Sequence, residues 1–397
     1  MDRSNDYNDL EWAIGLNRRM LKFVGLWPQN SEKAREKLSS KFQLLFNAIT
    51  LVFVLTIPAI MSLIRVWGDM MLMIDNLQFT LCLLITILKV AIMWSNRAAL
   101  SPLIDMIARD WMRAKMKEER DVMLKRAKTT RILAICGGVL ILLTLVFGLG
   151  FSSLGMSLRL VTNLTDPGRP LPIQTYYLHD VTRSPQFELT FLAQGIALTI
   201  SGISYTGVDN FLGLLMLHIC GQMENLHLRV RNLRRDPDFK ATLKYNVRDH
   251  IRLIRSIEII DDTFNLMLLG LTFLFGILFC LHGFLIINVL KEGGQLSVMQ
   301  FVNFVAASVT VLTHMCLYCA VGELLVSQCE KVHHATYEYM WYTLEPKKAK
   351  NLTLMMLRAN KPLHVTAGKT FPMTMATFCN ILKTSAGYVS VLLANRN

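Results

Sequence analysis

Long apolar runs are the feature that most limits what this chain can fold into. Seven segments, at 42–64, 74–94, 131–156, 187–217, 264–290, 299–323 and 371–394, are long enough to cross a bilayer, whose hydrocarbon core of about 30 Å takes about 20 apolar residues as a helix. No water is present in that core to hold backbone N–H and C=O groups, so such a run must close its hydrogen bonds within itself, as a helix does. The expected fold class is therefore all-α: a polytopic membrane protein with seven transmembrane helices. Two runs are less apolar, since 74–94 holds Asp75, Gln78 and Lys89, and 371–394 holds Thr374, Asn380, Lys383, Thr384 and Ser385. The first apolar run follows forty polar residues and is long enough to span rather than be cut, which predicts a signal anchor and no cleavable signal peptide.

Charge orients the bundle. Of the 42 Lys and Arg residues, 34 fall in the amino-terminal stretch and in the loops after spans two, four and six. Six fall in the remaining loops and the tail, and Lys89 and Lys383 lie within spans. Cytoplasmic loops carry the excess of basic residues, which predicts a cytosolic amino terminus and, with seven spans, an extracellular carboxyl terminus. That is the reverse of a G-protein-coupled receptor, and the outer loops also lack cysteine. The acceptor Asn163-Leu164-Thr165 then lies outside, where it can be glycosylated, and Asn351-Leu352-Thr353 lies inside, where it stays bare.

The same distribution accounts for the net charge of +13. It is spread over four loops on one membrane face, where it meets anionic lipid, and forms no contiguous basic surface of the kind a nucleic acid needs. The sequence holds no nucleotide loop, zinc-protease helix or serine elbow, so no enzyme activity, cofactor or metal is expected. A secondary transporter would show paired interrupted helices or repeats, and none is evident. Cys316 and Cys319 form a C-x-x-C on an apolar helix without a second ligand pair and read as small buried hydrophobes.

Polar residues inside spans carry information because each is costly in lipid. Lys89, near the inner end of its span, reads as a snorkelling side chain. Asp209 is expected to face an interhelical polar site, and His282, Asn288, Asn303 and His314 to hydrogen-bond between helices. The proline-rich outer loop "TDPGRPLPIQTYYLHDVTRSP" reads as a lid of turns that Tyr176 and Tyr177 pack onto the bundle. Apolar residues continue at helical spacing beyond spans four, five and six, and Pro346 opens a further helix over 346–359. Stripes of that kind in water call for a helical bundle or a subunit contact. In the final span, Thr384, Tyr388, Val391 and Asn395 share one face. A helix this polar is either wrapped by the other six or lines a water path together with symmetry-related copies.

Several blocks, in order and over essentially the whole length, resemble the insect odorant receptors: "NRRMLKFVGLWP", "VDNFLGLLMLHICGQMENL", "GELLVSQCEKVHHATYEYMWY", "RANKPLHVTAGK" and "FCNILKTSAGYVSVL". The style is similar to receptors of ants, bees and wasps. Gustatory receptors, the alternative within the superfamily, end in a Thr-Tyr pair followed by Gln-Phe, and both pairs are missing here. The usual Tyr-Phe of the last helix is Tyr388-Val389 in this chain.

The resemblance implies a ligand-gated, non-selective cation channel in the plasma membrane of olfactory neuron dendrites, built as a heterotetramer with a shared co-receptor subunit. It divides the chain into a cytosolic segment (1–40), spans one to six with the ligand-binding bundle (41–323, outer loop 157–186, inner loop 218–263), cytosolic anchor helices (324–369) and a pore-lining seventh helix (370–397). Carried onto this sequence, the gate falls at Val391, just after Tyr388, with Asn395 one turn further out and Leu392 packing beside them. A small hydrophobic odorant is expected in the outer halves of spans two to six, where Phe79, Phe147, Phe151, Phe191, Phe284 and Phe304 are candidate lining residues. Burial of apolar surface, at about 25 cal/mol per Å², would supply most of the binding energy.

Overall fold

The computed structural model describes residues 3–28, 34–113, 115–154, 169–233, 238–291, 298–339, 341–361 and 363–394. Asn163 and Asn395 lie outside them, as do the side chains of Phe304 and Leu392. The described chain is eleven α-helices and one two-residue-per-strand hairpin. They are α1 (Arg3–Phe23), α2 (Ala34–Ile49), α3 (Ile57–Arg65), α4 (Met70–Ser95), α5 (Arg97–Met112), α6 (Lys117–Ser153), α7 (Gln186–Asn232), α8 (Phe239–Lys291), α9 (Val298–Glu338), α10 (Pro346–Ala359) and α11 (Met375–Ala394). Six helical stretches are long and apolar enough to cross a membrane: Arg35–Arg65, Leu72–Ser95, and long parts of α6, α7, α8 and α9. With α11 these make the seven spans.

Three helices far exceed a bilayer. At 1.5 Å per residue, the 47 residues of α7 and 53 of α8 run roughly 70–80 Å. Spans four, five and six therefore continue unbroken well beyond a bilayer's thickness, and the boundary drawn at 323 falls inside the continuous α9. α7 is the central post, packed against α1, α4, α6, α8 and α9. Its inner part is buried almost continuously from Phe211 to Met223. The amino-terminal segment is the helix α1, which lies against α5, α6 and α7. It is fixed by Asp9 to Arg120 (2.5 Å) and by Trp27, whose ring meets Phe211 edge-on at 5.8 Å.

The first span contains a π-helical turn over Thr50–Thr56 just before Pro58. Proline has no N–H, so it cannot return the usual bond to the carbonyl four residues back. That carbonyl, on Val54, accepts the Tyr177 hydroxyl at 2.8 Å, and the Pro58 carbonyl accepts the Tyr176 N–H at 2.9 Å. Arg65 stacks over the Tyr176 ring, 3.4 Å from its centre, and Gln194 of α7 donates to Thr175 and to Tyr177. The described part of the outer loop, from residue 169 on, is thus docked on the bundle by the two tyrosines.

At the inner end, β1 (Thr366–Ala367) and β2 (Phe371–Pro372) form a hairpin in which Ala367 pairs with Phe371, and Gly368 and Lys369 of the three-residue loop between them both have positive φ. Lys369 reaches Asp261 (2.6 Å) and Asp262 (2.5 Å) of α8, and Asp261 also accepts the Thr366 N–H at 2.7 Å. A Cβ at Gly322 of α9 would stand 1.9 Å from the Met373 carbonyl oxygen, so only glycine lets the segment past the hairpin lie this close. The hairpin pins the start of α11 to α8 and α9.

Candidate functional site

α11 is attached to the rest of the chain along one edge. Ser385 and Val389 are buried against α8: the Ser385 hydroxyl donates to the Gly276 carbonyl at 3.4 Å, and a Cβ at Gly283 would meet Val389 at 2.8 Å. The opposite side is open. Tyr388 is 61% and Val391 57% exposed, Thr384 and Lys383 are exposed beside them, and Val389 is 7% exposed. The seventh span is therefore not wrapped by the other six. It presents a face carrying Thr384, Tyr388 and Val391 outward from the single chain. Asp and Glu are absent from residue 370 onward.

A polar cluster lies in the inner half of the bundle, where α4, α7 and α9 meet. Lys89 was expected to snorkel. It is instead fully buried, with its ammonium 2.5 Å from Asp209 Oδ1 and 3.2 Å from the centre of the Tyr205 ring. The reason is geometric. Lys89 lies on the face of α4 turned toward α7, so its side chain reaches inward to a carboxylate rather than along the lipid to the surface. The Tyr318 hydroxyl of α9 donates to the same Oδ1. His314, one turn before Tyr318, meets Tyr205 edge-on at 6.0 Å and bonds the Thr310 carbonyl of its own helix at 3.1 Å. Asp209 does face an interhelical polar site, as its position suggested.

Beside the cluster, α6, α7 and α9 enclose a cavity of about 170 Å³. Asp209, Asn210, Thr206 and His314 supply polar wall atoms, and leucines and Met216 supply apolar ones. The candidate lining phenylalanines lie elsewhere. Phe147 and Phe151 stack on each other at 5.9 Å along the outer part of α6, Phe191 packs on Phe187 at 6.0 Å, Phe79 is exposed, and Phe284 is buried.

Below the membrane a second network joins four helices. Asp110 of α5 takes His218 Nε2 of α7 at 3.0 Å and Arg252 of α8. Arg252 continues to Asp249 at 2.7 Å, and Arg229 of α7 links Asp249 to Glu119 of α6, the latter at 2.9 Å. Burial alone would raise the Asp110 carboxyl, but hydrogen bonding and charge from His218, then Arg252, hold it below the usual carboxylate range. Nearby, burial first and then the Arg358 guanidinium push the His250 imidazole down to about 4. The sequence held no short-range signal for this network, whose members come from helices far apart in the chain. Among the described residues no cluster of His, Cys, Asp and Glu is placed to hold a metal ion.

The "7tm Odorant receptor" family model matches residues 69–386. Among curated proteins, the chain is 24% identical to odorant receptor 13a of Drosophila melanogaster over 56% of this chain and 57% of that one. It is 24% identical to odorant receptor Or2 of Anopheles gambiae over 86% and 89%. The match with several of these relatives thus spans about half their length. Among solved structures, the insect olfactory receptor OR5 of Machilis hrabei superposes with a TM-score of 0.82 over 98% of this chain and 99% of that one. This holds for the receptor alone (17% identity) and in complex with eugenol (16%).

Proposed function

We propose, from the premise that this chain belongs to the insect odorant receptor family, that it is a subunit of an odorant-gated, non-selective cation channel of the plasma membrane. One observation supports this most: the one-sided attachment of α11. A transmembrane helix that leaves Thr384, Lys383 and Tyr388 exposed on its own is stabilised by facing water or other protein rather than lipid. Copies of α11 around a common axis supply both, because the α8-bound edge points away from the axis and the open face toward it.

In that arrangement Val391, near the outer end of α11, forms the constriction, with Leu392 and Asn395 beyond it. A ring of valines closes a pore by excluding water, and a small radial movement rewets it. Without carboxylates on the helix, cations pass hydrated and are weakly discriminated. The cytosolic extensions carry exposed Tyr337, Tyr342, Leu354 and Leu357, an apolar surface in water that suits contact with neighbouring subunits, here a shared co-receptor. The relative solved with eugenol supports a small hydrophobic ligand, which we place in the outer half of the bundle beneath the tyrosine-docked lid. Phe284 and Phe191 are the inward candidates among the phenylalanines.

Whole-cell recording tests the reading. Co-expressed with a co-receptor, the chain should give odorant-evoked cation currents, and Val391→Ala should raise the resting current severalfold. Odorant responses that require G-protein signalling, with resting conductance unchanged by Val391→Ala, would contradict it.

A further inference from the structure

We infer that the junction between α1 and α2 is a headgroup site for an inner-leaflet phospholipid that carries several phosphates, a phosphoinositide by chemical class. The inference rests on the chain being a multi-pass membrane protein with its basic loops inside, and not on the channel reading.

Two contacts set the depth of α1. Arg131, where the third predicted span begins, donates to the Trp12 carbonyl at 2.9 Å and lies over the exposed Trp12 ring, 5.2 Å from its centre. Further along α1, the Leu21 side chain would meet a Cβ at Gly207 of α7, within span four, at 3.2 Å. The helix thus lies at the membrane boundary, the level at which tryptophan is enriched. At its end the chain turns through Gly25, whose φ is +74° and whose Cβ, if present, would stand 2.5 Å from the Ser40 carbonyl oxygen of α2. The Ser40 hydroxyl donates to the Gly25 carbonyl at 3.1 Å. The last turn of α1 and the first turns of α2 are therefore held side by side where the first span begins.

This contact gathers cations without balancing them. From Arg18 to Ile49 the sequence has seven Lys and Arg residues against two Glu, and Arg18 is engaged with Glu11 at 2.5 Å. Arg19 and Lys22 lie one helical turn apart on α1, and Lys37 and Lys41 one turn apart on α2. All four are exposed, and none forms an ion pair among the described residues. Lys37 shares a helix face with Leu44, whose backbone N would stand 2.8 Å from a Cβ at Gly25, so the α2 lysines flank the turn that follows Lys22. Apolar side chains stand among these charges. Phe23 is 59% exposed, Leu38 and Phe42 are each 70% exposed, and Leu45 and Phe46 continue the apolar surface along the span. A soluble anion has no use for such neighbours, whereas the acyl chains of a phospholipid cover them while its phosphates meet the cations. One phosphodiester engages one or two of four converging cations, so a headgroup with further phosphates matches the site better.

The full-length protein in detergent provides the test, titrated with a short-chain fluorescent phosphatidylinositol bisphosphate and followed by anisotropy. Binding should saturate and be at least about tenfold tighter than that of phosphatidylserine with the same acyl chains. Lys22→Gln combined with Lys41→Gln should weaken it at least about tenfold. Lys125→Gln combined with Lys128→Gln, which removes exposed cations of α6 beyond the Trp12 end of α1, should leave it within about twofold. Free inositol trisphosphate, which has the phosphates without the acyl chains, should compete at least about tenfold less well than the lipid. Equal affinity for the two lipids, no loss in the Lys22 and Lys41 variant, an equal loss in both double variants, or free inositol trisphosphate competing as well as the lipid would overturn the proposal.

Discussion

Lys89 and Asp209 stand 120 positions apart in the chain and 2.5 Å apart in the bundle, with the lysine fully buried. The pair fastens α4 to α7, and the Tyr318 hydroxyl brings in α9 at the same carboxylate oxygen. Removing one partner of such a pair leaves the other charge buried and uncompensated, which costs about 3–5 kcal/mol. Lys89→Met should therefore lower the thermal unfolding midpoint of the purified protein sharply. The double variant with Asp209→Asn, which removes both charges and keeps an acceptor for Tyr318, should recover most of it. A double variant no more stable than Lys89→Met would show that charge compensation is not what the pair contributes.

Acid should weaken the cytosolic helices in a defined window. The His250 imidazole titrates near 4 in the folded protein because burial and then Arg358 disfavour its charged form, against about 6.5 when unfolded. Between these values the unfolded chain binds the extra proton, so stability falls as pH drops from about 6.5 to about 4, by about 3 kcal/mol in all. Asp110 behaves oppositely. Its carboxyl is held low, so the stability it gives is present above the ordinary carboxylate range and lost only as pH falls below that range. His250→Gln should flatten the stability profile between pH 4 and 6.5. A profile unchanged by that variant would assign the acid sensitivity elsewhere.

What could be read from the sequence was what depends on local pattern. Span number, the extension of α7, α8 and α9 beyond a bilayer's thickness, the helix opened by Pro346, and the docking of Tyr176 and Tyr177 all follow from periodicity, proline placement and length. Asp209 was legible because a carboxylate in an apolar run needs a protein partner. Its partner was not, since nothing near Lys89 in sequence distinguishes a lysine directed to lipid headgroups from one directed to a carboxylate on another helix. The hairpin at Gly368-Lys369 was also missed. Its strands are two residues each and have no alternation to read, leaving the Ala-Gly-Lys-Thr turn as the sole clue. The two readings of the last span, wrapped or open, could be separated only once Val389 was seen packed on α8 and Val391 left exposed.

Topology can be checked by glycan removal. The basic loops place Asn163 outside and Asn351, on α10, inside. Enzymatic deglycosylation should increase gel mobility of the protein made in insect cells, and Asn163→Gln should abolish that change while Asn351→Gln leaves it intact. A glycan on Asn351 would invert the membrane orientation.

The central claim is that the open face of α11 lines the ion path, and cysteine accessibility tests it most directly. In a Cys379→Ser background, which removes the exposed native thiol of that helix, single Val391→Cys, Tyr388→Cys and Val389→Cys channels would be recorded with a co-receptor during application of a charged methanethiosulfonate reagent. Odorant-evoked current should be lost at Val391→Cys and Tyr388→Cys and retained at Val389→Cys. Block at Val389→Cys with none at Val391→Cys would place the conduction path on the other side of the helix and contradict the account.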